Sequence, residues 1–463
     1  MTTPPTLALD IVSRAMPTLR RNILIVIADI ALLVLCMNLL PFDEKANRGL
    51  ALMAFIGVLW LTEAIHTTLT ALLVPLLAVG LGLLDTTNAL ASFANPIIFL
   101  FFGGFALAVA LQAQGLDKLL ANGLLSLARG HLGWASLILF GGTALLSMWV
   151  NNTSTTAMVL PLALGILSKI DPERHRSTHV FVLLGVAFSA NIGGLGTVVG
   201  SAPNAIAAAH LGIDFMTWFA FGAPLALTLL VSAIAVMYLQ LRPRLNERFA
   251  LDAEPVPWNR ARVGTLAIFL ATVICWIFSQ PISALLGGVK QLDALIAVSA
   301  AVAIGVSGVA NWSQIQRGTD WGVLMLFGGG LTLSIVLRSS GASEIMSHGV
   351  TSLVGQDHAL LVVLASAAFV IFLTEFTSNT ASAALLIPIF ASVAQSMGMS
   401  VMLLTSVIAV GASCAFMLPV ATPPNAIVFG TGRIRQSDMI RVGLRLNVLS
   451  LIVLTSFAWI VWR

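Results

Sequence analysis

The chain has 463 residues, of which 58% are hydrophobic and only 9% charged, with a mean hydropathy of +0.98. A soluble domain carries roughly 25% charged residues, so a globule dressed for water is excluded. The formal charge of +4 and the pI near 9.3 do not indicate nucleic acid, because membrane topology accounts for the basic residues.

The first apolar run, 23–40, is long enough for a ~30 Å hydrocarbon core and lacks a small-residue cleavage site. It reads as a span and not as a removable signal. Apolar runs between polar breaks predict further spans near 48–66, 68–84, 96–114, 181–209, 217–240, 262–280, 290–308, 320–338, 403–430 and 441–462. With the first at 22–40, this makes about eleven crossings. The segments 133–168 and 357–395 are each too long for one span and carry a polar Asn-Thr centre. Both read as re-entrant hairpins, tolerated at membrane depth only when enclosed by protein. The fold class expected is an all-α integral membrane protein.

Lys and Arg set the orientation. With the N-terminus cytoplasmic, the inner loops collect 18 of the 23 basic residues, from Arg14, Arg20 and Arg21 to Arg433, Arg435, Arg441 and Arg445. Lys118, Arg129, Lys169 and Arg248 belong to this inner set, while Lys45, Arg48, Lys290, Arg338 and Arg463 fall outside. The charged stretch 241–261 reads as a cytoplasmic linker. It separates a first repeat at 46–240 from a second at 262–463, after an N-terminal segment and first span at 1–45. Five crossings per half make the repeat inverted.

The repeat is written in the residues. Asn152-Thr153-Ser154-Thr155-Thr156 returns in degenerate form as Asn379-Thr380-Ala381-Ser382-Ala383, and Pro203-Asn204-Ala205-Ile206 as Pro424-Asn425-Ala426-Ile427. Gly103-Gly104 and Gly328-Gly329 precede the two phrases. Duplicated polar breaks in a membrane chain are the signature of a secondary transporter.

No Lys or Arg falls within a predicted span interior, and the acids there are Glu63, Glu375 and, near the inner boundary, Asp29. An anion at the midplane would meet helix N-termini, hydroxyls and amides instead of a fixed cation. The hairpin tips and the breaks at Ser201-Ala202-Pro203-Asn204 and Thr422-Pro423-Pro424-Asn425 supply such N-termini. Exposed carbonyls with the hydroxyls of Ser147, Thr374 and Thr377 would suit a hard cation such as Na+.

The segments SMWVNNTSTTAMVLPL, TEFTSNTASAALLIPI and MLPVATPPNAIVFG resemble the paired hairpin motifs and proline-rich breaks of the divalent anion/sodium symporters, most closely bacterial sodium–dicarboxylate cotransporters. The resemblance covers the chain from about residue 22. It implies a homodimeric elevator, with a scaffold of spans one to four and seven to nine. The moving part would hold the hairpins and spans five, six, ten and eleven. By position, Asn152, Thr153, Ser201, Ser378, Asn379, Thr380 and Pro423 would face a dicarboxylate. One sodium site would use Ser147, Asn151, Asn152 and Gly200, the other Thr374, Thr377, Asn379 and Ala421. The pattern departs twice, with Asn151 in place of Ser and Ala202 in place of Pro.

The function expected is Na+-coupled symport of C4-dicarboxylates across the cell's inner membrane, with membrane lipid around the chain and no nucleic acid partner. Sulfate, citrate, exchange and proton coupling are alternatives within the fold; an ion channel is the alternative from another class. No nucleophile–base pair marks an enzyme. Glu63 and Glu375 read as capping or bracing groups before proton couplers, His175 and His179 as a solvated face, and the glycine pairs as close-packing points. The ten tryptophans read mostly as interfacial anchors. The cysteines Cys36, Cys275 and Cys414 sit in apolar runs, which argues against disulfides.

Overall fold

The computed structural model describes residues 5–116, 119, 123, 130–168, 170–171, 174–247, 257–354 and 359–462. Lys118, Arg129, Lys169, Arg248 and Arg463 lie outside the described residues, as do 248–256 of the linker. Among the described residues the ordered elements are all helical. Seven helices are long and apolar enough to cross a membrane by length and composition, and six further apolar helices are shorter. The first helix, Pro5–Leu39, extends well before the expected span.

Both long segments bend into hairpins. Leu132–Ser147 turns into Asn152–Leu167, and Ala359–Leu373 turns into Asn379–Ser396. Each second arm starts on a side-chain cap: Asn151 accepts from Ser154 N at 2.7 Å, and Ser378 from Ala381 N at 3.5 Å. The base of the first hairpin is fastened to the chain that follows helix Phe215–Leu241. There Leu132 N donates to Glu247 O at 3.0 Å and Gly133 N to Leu245 O at 3.1 Å.

The two predicted long breaks are also present. Arg176–Gly193 is interrupted before Ala202–Leu211, and Val401–Ala412 before Pro423–Phe429. Each first half packs against its own hairpin.

Helices from the two halves of the chain pack across one another. Helix Pro96–Ala113 packs on Leu292–Val306, and the counterpart pair is Trp321–Ser339 on Thr67–Gly80. At the first crossing a Cβ on Gly103 would sit 2.4 Å from Ala297 O; at the second, a Cβ on Gly329 would sit 2.6 Å from Ala71 O. Both contacts bring helix backbones together, which only glycine permits.

Two expectations need correction. His179 is buried, and its Nε2 lies 3.0 Å from Ile170 O, so the His175/His179 pair is not a solvated face. Helix Arg176–Gly193 enters the core one turn earlier than its apolar run suggests, because its first turn packs against neighbouring chain. Four of the ten tryptophans, Trp60, Trp218, Trp276 and Trp462, are buried and so cannot anchor at a lipid interface. Trp60, Trp218 and Trp276 are fully buried, and Trp276 stacks on Phe215 at 4.9 Å. Trp134, Trp258, Trp312 and Trp321 are exposed.

Substituting Gly103 or Gly329 with Ala is expected to destabilise the protein by about 1–3 kcal/mol, as overpacking a close contact does. Gly264→Ala, where nothing lies within 4 Å, serves as the control and should not lower the melting temperature. Thermal unfolding of the three variants in detergent checks this.

Candidate functional site

The unwound stretches between the half-helices are held by one amide each. Asn204 Nδ2 donates to Gly194 O at 2.9 Å and Thr197 O at 2.8 Å. Asn425 Nδ2 donates to Ala415 O at 3.1 Å and Leu418 O at 3.0 Å. These carbonyls have lost their helical partners, and the amide replaces two of them at once. The breaks are also tied to one another. Asn191 Nδ2 donates to Thr422 Oγ1 at 3.0 Å, while Ser201 Oγ and Ser413 Oγ lie 3.1 Å apart. Each bond joins the end of one first half-helix to the cap of the other second half-helix.

Two hairpin tips and two breaks meet around a cavity of about 510 Å³. Its wall includes all seven residues expected to face a substrate: Asn152, Thr153, Ser201, Ser378, Asn379, Thr380 and Pro423. Asn151, Gly200, Thr377 and Ala421 also line it. Ser147 and Thr374 are fully buried one layer behind.

Those two hydroxyls make the same arrangement in both halves. Ser147 Oγ lies 2.7 Å from Asn152 Oδ1 and 2.7 Å from Ala190 O. Thr374 Oγ1 lies 2.6 Å from Asn379 Oδ1 and 2.8 Å from Ala412 O. With the amide oxygens oriented this way, each hydroxyl has one proton for two acceptors. Each cluster thus holds more oxygen than hydrogen. The departure at Asn151 is absorbed locally, since its side chain caps the helix as Ser378 does in the other half. At Ala202 the first break begins its half-helix with an N–H that Pro423 lacks, and Pro203 follows in the first turn.

Among the described residues no Lys or Arg lines the cavity, and the charged lining residues are Glu63 and Asp320. Asp320 caps Val323 N at 3.1 Å, and Glu63 ends helix Glu44–Thr62 in a left-handed conformation with φ of 49°. Glu375, the other intramembrane acid, is 1% exposed and does not line the cavity. Its carboxylate accepts from Phe416 N at 2.7 Å, Met417 N at 2.9 Å, Leu418 N at 3.0 Å and Asn447 Nδ2 at 2.8 Å. It braces the second break from behind. Among the described residues no group of three His, Cys, Asp or Glu side chains could hold a metal ion.

Sequence reasoning missed Asn191, Asp320, Phe376 and Val420 on the cavity wall. Asn191 was findable as the one strongly polar residue in an apolar run, matched in the other half by Ser413. Phe376 and Val420 carried no signal beyond lying beside the motifs.

The sequence pattern of a family described as citrate transporters matches residues 57–409. An uncharacterized transporter of Haemophilus influenzae is 54% identical, over 96% of this chain and 97% of its own length. A sodium-dependent dicarboxylate transporter, SdcS of Staphylococcus saprophyticus, is 32% identical over 91% of this chain and 88% of its own. Among solved structures, the Alcanivorax borkumensis YdaH transporter, reported to have an unusual topology, aligns with a TM-score of 0.57. It shares 16% identity, and the alignment covers 89% of this chain and 98% of that one, which is a likeness of fold.

Glu375→Ala is expected to lower thermal stability, at about 1–3 kcal/mol for each buried donor left without an acceptor. Glu375→Gln, which keeps one oxygen in place, should lose less. Melting curves of the purified variants distinguish this bracing role from one confined to transport.

Proposed function

The chain belongs to the citrate transporter family, and on that footing we propose that it is a Na+-coupled symporter of C4-dicarboxylates such as succinate, malate and fumarate. It is a multi-pass membrane transporter and not an enzyme.

The observation that carries the reading is the matched pair of oxygen clusters at Ser147/Asn152 and Thr374/Asn379, set directly behind a cavity without a basic side chain. A helix N-terminus contributes roughly half a positive charge and typically 0.3–1 kcal/mol, up to ~2 in partly buried sites. Removing a carboxylate from water costs far more than that. Four N-termini with their hydroxyls and amides orient a dianion but do not offset its lost hydration. A cation in each oxygen cluster closes the difference, because each has acceptors in excess and lies on the residue, Asn152 or Asn379, whose helix start also faces the cavity. The same asparagine then serves ion and anion. Binding of one strengthens binding of the other, which is the physical content of coupling.

In this reading Asn152, Thr153, Ser201, Ser378, Asn379, Thr380 and Pro423 contact the dicarboxylate. Ser147, Asn151, Asn152 and Gly200 enclose one Na+, and Thr374, Thr377, Asn379 and Ala421 the other. The hairpins, the broken helices and helices Phe215–Leu241 and Gln436–Val461 move as one body against the remaining helices in an elevator cycle. The hydrogen bonds that cross-link the two breaks, and those that fasten the first hairpin at its base, favour a rigid carrier over hairpins that open as flaps. The protein would work as a homodimer in the cell's inner membrane with its N-terminus in the cytoplasm. Citrate is a second reading, favoured by the family's description and by a cavity within the ~300–1,000 Å³ range of ligand clefts. Competition by a panel of di- and tricarboxylates against labelled succinate separates the two.

In proteoliposomes, replacing Na+ by choline is expected to abolish succinate uptake; undiminished uptake would overturn the coupling. Asn152→Ala and Asn379→Ala should each reduce Na+-driven uptake to background while the purified protein stays monodisperse. Normal uptake by either variant would remove that residue from the site.

A further inference from the structure

Two cavities lie along helix Pro96–Ala113. Phe101, Gly104, Phe105 and Ala108 line the cavity between the hairpin tips, while Pro96, Ile97 and Leu100 line a second one of about 590 Å³. The wall of the second cavity joins the two bodies of the elevator reading. Ala208, Asp214 and Thr217 belong to the carrier, and Gln280 and Asp293 to the helices it would move against.

Helix Phe215–Leu241 begins at this seam and is capped from both bodies. Asp214 accepts from Thr217 N at 2.7 Å, an N-cap from its own chain segment. Asp293 Oδ2, at the start of Leu292–Val306, accepts from Phe215 N at 2.7 Å, and Asp293 is 5% exposed. Such an N–H has no partner within its own helix, so the far body supplies it. Gln280 Nε2 adds a bond to Asp214 Oδ2 at 2.7 Å.

Asp293 is in turn fixed by Trp276, whose Nε1 donates to Asp293 O at 3.0 Å. The ring of Trp276 lies 4.9 Å from that of Phe215 and 6.5 Å from that of Trp149, and Trp149 lies 5.9 Å from Phe215. Trp149 sits at the tip of the first hairpin, three residues before Asn152, and lines the first cavity. A chain of contacts therefore runs from that tip through buried rings to Asp293.

Other points of the seam are smooth. Gly57, Gly104 and Gly330 face Leu385, Val199 and Ala384, whose side chains a Cβ would meet at 3.3, 3.3 and 3.1 Å. Small apolar surfaces of this kind slide without breaking a directional bond. Phe215 and Asp293 cannot part without breaking one.

We infer that Asp293, backed by Trp276, is a catch that holds the carrier in the position seen here and that the first hairpin tip reaches through Trp149. The inference rests on the elevator reading above. A carrier that moves as one body parts Phe215 from Asp293 and Trp149 from Trp276 in the same step, so the catch closes again only when the tip returns. Asp293 and Trp276 line neither the cavity between the tips nor the oxygen clusters, and they act by positioning the carrier.

Spin labels at Leu227 on the carrier and Val306 on the opposing helices, both exposed, report the separation of the two bodies in a cysteine-free background. Pulsed electron paramagnetic resonance of the wild type should show two separations whose ratio changes with Na+ and succinate. Asp293→Ala is expected to shift that ratio roughly three- to ten-fold away from the separation seen here, as losing one net hydrogen bond does. Asp293→Asn, which keeps an oxygen for Phe215 N, should hold the wild-type ratio. Gln280→Ala, at the exposed rim, should shift it the same way by less, and it decides the matter if Asp293→Ala does not fold. An unchanged ratio in Asp293→Ala, or in Gln280→Ala where Asp293→Ala does not fold, overturns the catch. So does an Asp293→Asn that shifts as far as Asp293→Ala. A wild type with a single separation under every condition would instead overturn the elevator reading itself.

Discussion

Hydrogen-bond satisfaction of unwound backbone at membrane depth is the constraint on which everything else here depends. A carbonyl or N–H without a partner in hydrocarbon costs several kcal/mol. The chain nevertheless interrupts two of its spans, and the interruptions survive because Asn204 and Asn425 each answer two stranded carbonyls. Glu375 does the reverse for the second break, accepting from three successive N–H groups. A buried carboxylate with four donors around it is a structural brace. Its burial separates it from the residues that line the cavity.

The breaks create function because they bring opposite dipole ends to one place. First half-helices end there and second half-helices begin there, the second of them on Pro423 and Pro424, which carry no N–H. In the proposed function, this is what would let an anion and cations sit side by side without a lysine or arginine. The duplication supplies this twice, and the mirrored bonds of Ser147 and Thr374 show how closely the halves agree in local chemistry. Where the halves differ, each difference is absorbed locally. Asn151 caps its helix as Ser378 does, and Ala202 keeps an N–H where Pro423 has none.

Much of this was legible in the residues. The hairpins at 133–168 and 357–395 could be read because a polar Asn-Thr centre cannot lie in lipid, and the structure bends at those centres. The tips and breaks could be located because the same words recur in both halves, and the resemblance to the symporters then named individual residues of the cavity wall. Asn191 was not among them, because a single asparagine in an apolar span looks like any helix–helix hydrogen bond until its bond to Thr422 is seen. His179 and the buried tryptophans misled for a related reason. Residues near span ends are polar-compatible, and whether they face water, lipid or a neighbouring helix is a property of the packing.

By itself the sequence determined the membrane class, the order and approximate limits of the helices, the duplication, and the amide and hydroxyl chemistry of the breaks. Each of these follows from local composition and period, which act along the chain. Only the tertiary structure decided that the two tips and two breaks share one cavity, that Ser147 and Thr374 stand behind it, and that the breaks are cross-linked to each other. Those facts depend on contacts between residues some 200 positions apart, such as Asn191 with Thr422 and Ser201 with Ser413. Close helix crossings at Gly103 and Gly329 hold the surrounding helices, and no local pattern fixes which backbone a glycine will meet.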